Sequence, residues 1–109
     1  EAMYGITFVS NKEDSGGYGV VVFETGRVLG GDSSFVYIGS YVVENGIIKA
    51  DVKCTNDREI LDSIFGNQKE FNLHLEGKID DKEFILSGYM IENPEQKIAV
   101  QFTRRAELP

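Results

Sequence analysis

Apolar and polar residues alternate with a period of two through much of this 109-residue chain. In Phe71-Asn72-Leu73-His74-Leu75-Glu76 the odd positions are apolar and the even ones polar. Ile98-Ala99-Val100-Gln101-Phe102-Thr103 repeats the pattern with Ile98, Val100 and Phe102 on one face, and Phe84, Leu86 and Met90 share a face across Gly88. Successive side chains of a strand point to opposite sides, so this period predicts a sheet with one buried and one wetted surface. Eight extended segments result, at roughly 4–10, 17–24, 27–31, 35–44, 47–54, 69–77, 83–92 and 97–104.

The links between them are short. Glu24-Thr25-Gly26-Arg27 and Glu44-Asn45-Gly46-Ile47 are tight hairpin signals, Asn-Gly the stronger because both of its residues tolerate positive φ. Ile79-Asp80-Asp81-Lys82-Glu83 predicts a third turn and Asn93-Pro94-Glu95-Gln96 a fourth. Gly30-Gly31-Asp32-Ser33-Ser34 predicts a corner, since glycine reaches positive φ and Asp or Ser caps a turn with its own side chain. Only residues 55–68 leave room for a crossover. A short helix is expected there at about 57–65. Ile60, Leu61, Ile64 and Phe65 would share its apolar face, Asn56 or Asp57 would cap its start, and Gly66 would end it. That face needs cover, which the mouth or edge of the sheet would supply.

A meander of this kind cannot stay flat and half exposed. The expected fold is all-β: one domain over residues 1–109, an eight-stranded antiparallel up-and-down β-barrel of lipocalin or calycin type. A barrel of eight strands is just wide enough to be filled by side chains or to hold one small ligand.

Composition narrows the partners. The net charge is −7, with 11 Lys and Arg among 18 Asp and Glu, so no basic patch for nucleic acid or an anionic membrane is expected. Apolar runs such as Val20-Val21-Val22-Phe23 are far too short for a membrane helix. Cys54 is the single cysteine, which excludes an internal disulfide, and Tyr4 to Val9 is strand-like with no basic flank. Both features point to a reducing cytoplasm.

Residues 17–41 carry a likeness to a known family. Gly17-Tyr18-Gly19-Val20-Val21-Val22-Phe23, Gly26 and the Gly30-Gly31-Asp32-Ser33 corner, followed by Tyr37, Gly39 and Tyr41, resemble the GrlR-like family. Tyr4-Gly5-Ile6-Thr7-Phe8-Val9-Ser10-Asn11 and Gly46-Ile47-Ile48 fit the same pattern. These are small bacterial barrel proteins, named for a negative regulator of type III secretion genes. The resemblance implies an eight-stranded barrel with a plug-like segment at one end, a tendency to dimerise, and a non-catalytic cytoplasmic role in regulation through protein–protein binding. The regulator itself binds a transcriptional activator, and an acidic Glu-Asp-Glu-Asp loop matters to that contact. Here the turn reads Val43-Glu44-Asn45-Gly46, so the activator contact does not carry over.

The residues themselves offer little for catalysis. His74 is the single histidine, and alternation points it away from Leu73 and Leu75. A triad would need Ser33 or Ser34 as nucleophile and Asp32 as orienter, with no Gly-x-Ser-x-Gly elbow to expose the serine. No enzyme activity and no cofactor are expected. Metal binding is not expected either. Glu13, Asp14, Asp32, Asp80, Asp81 and Glu83 sit in turns, and the stretch Asn11-Lys12-Glu13-Asp14-Ser15-Gly16 has Val22 where a calcium loop needs its bidentate Glu. One Cys and one His do not make a zinc site. Gly16-Gly17-Tyr18-Gly19 leads into a strand, so no helix N-terminus waits there for a phosphate.

Two binding readings remain. Phe8, Phe23, Phe35, Tyr37, Tyr41, Phe71, Phe84, Tyr89 and Phe102 make a core by default. All of these except Tyr89 are instead candidates to line a small apolar cavity, with tyrosine hydroxyls as polar anchors. Val21, Val36, Ile38, Val42 and Tyr89 take the opposite parity from the presumed inward residues and are candidates for a dimer face, Val36 and Ile38 foremost. The first arrangement would bind or sense a small apolar ligand; the second would bind a protein partner.

Overall fold

Hydrogen bonding between the first and last strands closes the sheet on itself. The computed structural model describes residues 2–10, 17–33, 35–56 and 70–107. They form β1 (Ala2–Ser10), β2 (Gly17–Glu24), β3 (Arg27–Gly31), β4 (Phe35–Glu44), β5 (Ile47–Asn56), β6 (Glu70–Lys78), β7 (Glu83–Met90) and β8 (Asn93–Glu107). Each strand pairs antiparallel with the next, and β1 pairs with β8 from Ala2↔Glu107 to Ser10↔Ile98, giving a closed barrel in sequence order. Closure leaves no sheet edge to attract another chain. This is the up-and-down barrel that alternation and short links predict. The expected helix at 57–65 and the Asn11–Gly16 stretch lie outside the described residues, and no helix occurs among those that are described.

Turn chemistry explains the hairpins. Thr25 and Gly26 have φ of 49° and 79°, and Asn45 and Gly46 have φ of 54° and 79°. Two consecutive residues at positive φ make the turn whose twist matches the strands it joins. One expected turn is displaced. The chain reverses at Ile91-Glu92, not at Asn93–Gln96. Met90 pairs with Asn93 but Tyr89 pairs with Lys97, so Pro94, Glu95 and Gln96 form a bulge inside β8. Pro94 has no N–H to give the ladder, which suits it to that bulge. Ile91 donates its N–H to the Asn72 carbonyl at 2.8 Å, and the Glu92 carboxylate accepts from the Asn72 amide N–H at 2.9 Å and from its side chain at 2.6 Å. Those bonds pin the turn to β6.

Alternation sends Tyr4, Ile6, Phe23, Val28, Ile48, Leu86, Met90, Ile98 and Val100 into the interior, all buried. Val21 joins them at 3% exposure, against its expected outward place. The run Val20-Val21-Val22 is apolar on both faces and cannot announce its parity; pairing with inward Tyr4 decides it. Gly39 and Gly88 stand opposite inward Val52 and Leu75. A Cβ at either would collide with the carbonyl of Asp51 or His74, so their missing side chains let neighbouring strands bend in toward one another.

The two halves of the interior differ. Tyr4 meets Phe23, Phe84 and Phe102 with ring centroids 5.4–5.8 Å apart, Phe84 stacks on Phe102 at 4.9 Å, and Phe23 stacks on Tyr41 at 4.8 Å. Such aromatic pairs add about 0.5–1.5 kcal/mol each beyond the area they bury. This end is packed solid.

Candidate functional site

Toward the other end the side chains no longer fill the barrel. β5 contributes Ala50, Val52 and Cys54, all small for barrel positions, and they leave a cavity of about 220 Å³ facing Ile6, Phe8, Val21, Phe23, Phe35, Phe71, Leu73 and Val100. Asp32 and Ser33, from the corner between β3 and β4, also border it.

That corner is built by Asp32. Its backbone N–H donates to the Phe35 carbonyl at 2.9 Å, while its Oδ1 accepts the Phe35 N–H at 2.7 Å. This is the side-chain cap that a Gly-Gly-Asp-Ser-Ser break predicts. Oδ2 accepts the hydroxyl of Tyr37, whose ring points inward. Burial, and then the bond to Asp32, raise the Tyr37 hydroxyl pKa far above its usual value. Cys54 lies opposite Tyr37 on β5. Burial, followed by the nearby Asp32 charge, pushes its thiol up to about 12. It is a protonated, unreactive thiol at neutral pH.

Of the aromatic residues considered for the cavity, Phe8, Phe23, Phe35, Tyr37, Phe71 and Phe102 border it, whereas Tyr41 and Phe84 belong to the packed end. Tyr89 lies on the outer wall beside His74, ring centroids 5.7 Å apart. The aliphatic lining, including Leu73, Ile98 and Val100, was legible as inward-facing but not as the wall of a void. The small residues at Ala50 and Cys54 were the available signal.

His74 stands outside. Its Nδ1 is 2.8 Å from Asp51 Oδ1 and its Nε2 is 2.6 Å from Glu76 Oε2. The bond to Glu76 first, and that to Asp51 next, raise the His74 pKa above its ordinary value. Ser33 borders the cavity and His74 does not, so the structure does not join them as nucleophile and base; Ser34 lies outside the described residues. No group of three or more His, Cys, Asp and Glu suited to a metal occurs among the described residues.

On the outer wall, Val22, Leu29 and Ile38 form one cross-strand row of β2, β3 and β4, and Val20, Gly31 and Val36 form the next. Ile38 is 59% exposed, Val36 41% and Val20 39%. Met3 and Gly5 extend the rows onto β1, and Lys53 and Thr55 on β5 end them. An aliphatic band therefore crosses the strands on one side of the barrel. Val42 is exposed as well, farther along β4.

No protein-family model matches the chain, and no curated protein sequence does. Among the described residues no helix is long and apolar enough to cross a membrane.

Proposed function

We propose that this chain is a non-catalytic, cytoplasmic regulatory protein of the GrlR-like kind, acting by protein–protein binding through the outer wall of the barrel and working as a homodimer. The observation that carries this reading is the aliphatic band centred on Val36 and Ile38. Scattered exposed aliphatics need no explanation, but adjacent ones in two hydrogen-bonded rows form a surface that water covers poorly. The Gly30-Gly31-Asp32-Ser33 resemblance supports the regulatory role, and the replaced acidic loop at Val43–Gly46 implies a partner other than the regulator's activator. Val36→Asp combined with Ile38→Asp should give a folded monomer by circular dichroism and light scattering. A parent protein already monomeric, or a double variant of unchanged mass, overturns the dimer face.

The cavity favours a second reading, in which the barrel holds a small apolar ligand and senses or carries it. Its lining is almost wholly hydrocarbon, with a few convergent polar groups at one corner, the composition usual for ligand sites. Native mass spectrometry of protein purified from its own host, beside a denatured sample, reads out a retained molecule directly.

A further inference from the structure

The open half of the barrel has a solid floor. Phe23 and Phe102 border the cavity, and their rings also belong to the packed end. Their centroids are 5.5 Å apart, Tyr4 lies 5.4 Å from Phe23 and 5.8 Å from Phe102, and Phe84 stacks on Phe102 at 4.9 Å. Tyr4 and Phe84 are buried against these two rings and do not border the space, so the cavity ends at Phe23 and Phe102. A chain-like guest that reaches this floor has no deeper room to thread into.

Volume sets the second limit. An apolar cavity of about 150 Å³ in another protein takes benzene, and the roughly 220 Å³ here is half again as large. At the same filling, the guest has about nine non-hydrogen atoms, fewer than the drug-sized ligands of ordinary pockets. Ala50 and Cys54 create this room, being small side chains at fully buried positions of the wall. The wall also suits rings better than chains. Phe35 and Phe71 meet edge to face at 5.2 Å, and Cys54 stands in register between Tyr37 and Phe71. Ring surfaces and a polarisable sulfur pack well against aromatic guests. A rigid ring system gives up no internal rotation on entry, whereas a flexible chain is immobilised bond by bond.

We propose that the barrel interior selects apolar molecules by size and shape, taking compact guests of one or two rings and excluding larger ring systems and long acyl chains, with Ala50 setting the limit; this selection rests on the ligand-holding reading above. Uncharged probes test it by calorimetry on the unmodified protein. Indole should bind saturably, and three-ring carbazole more weakly than indole by about tenfold or more, the effect of overpacking. Along the linear alcohols from pentanol to decanol, affinity should grow about fourfold per methylene, as for a buried CH₂, and level off near octanol. Nuclear Overhauser contacts should run from bound indole to the methyls of Val52 and Leu73, which border the cavity. Ala50→Val should reverse the order of indole and benzene, because it removes the room the second ring needs. Carbazole matching indole, a gain that continues past octanol, or indole failing where octanol binds overturns the selection and leaves the cavity reading standing. An unchanged order of indole and benzene in a folded Ala50→Val protein overturns the role of Ala50. No binding of any probe, or contacts to Val36 and Ile38 on the outer wall in place of Val52 and Leu73, overturns the ligand reading itself. The decisive comparisons use unmodified protein, so a variant that fails to fold does not affect them.

Discussion

Tyr37→Phe removes one oxygen from the interior and tests how the β3–β4 corner is held. In the parent, that hydroxyl donates to Asp32 Oδ2 while the Phe35 N–H serves Oδ1 at 2.7 Å. Hydrogen bonds to a charged group contribute about 1.5–3 kcal/mol. Asp32 is only half-buried, so water can approach the vacated position and part of the loss is recovered. The expected cost is therefore about 1–2 kcal/mol, a fall in Tm of roughly 4–10 °C for a domain of this size. Urea unfolding followed by circular dichroism should show a lower midpoint with an unchanged slope, since the surface exposed on unfolding hardly changes. Asp32→Asn and the double variant complete a cycle whose coupling should be about 1 kcal/mol or more. High pH supplies an independent check. The native hydroxyl pKa is raised above its ordinary 10.0, so folding favours the protonated phenol and parent stability should fall as pH rises above that value. Tyr37→Phe should lose its share of that decline. A midpoint equal to the parent's and strict additivity in the cycle would refute the idea that this bond fixes the corner.

Two further outcomes follow from the wall. The pKa of His74 is raised by Glu76 and Asp51, so its contribution is complete below about pH 6.5 and is lost as pH rises through the native value; that of Glu76, lowered chiefly by His74, is present above about pH 4.5 and lost as pH falls. The pair should therefore add most between those limits, and a His74→Gln variant whose pH–stability curve above pH 6.5 matches the parent's would contradict this. Gly88→Ala places a Cβ against the His74 carbonyl and should cost at least the 1–3 kcal/mol of an overpacked core, whereas Ser87→Ala, exposed on the same strand, should be nearly neutral by thermal unfolding.

Much of the barrel is a local property of the chain. The period-two pattern at Phe71–Glu76 and Ile98–Thr103 sets which side chains go inside, because a strand has only two faces. Thr25-Gly26 and Asn45-Gly46 reverse the chain because their backbones reach positive φ, and Asp32 caps its corner through atoms three to five residues away. These features need no knowledge of the rest of the molecule. Where local information is degenerate, it fails: Val20-Val21-Val22 is apolar on both faces, and only pairing with Tyr4 turns Val21 inward. The Pro94 region looks like a turn, yet bonds from Asn72 fix the reversal at Ile91-Glu92, and those groups lie about twenty residues apart in the chain.

The void is a property of closure. Whether inward side chains fill the barrel depends on which of them meet across it, so Tyr41 and Phe84 help seal one end while Phe8 and Phe35 border open space at the other. Alternation along one strand determines direction but carries no information about volume, which is set jointly by eight strands. The same holds for the outer band, where Val20, Val36 and Ile38 become one surface because register aligns β2, β3 and β4. Chain pattern settles the side on which a residue lies; assembly of the strands decides what it meets there.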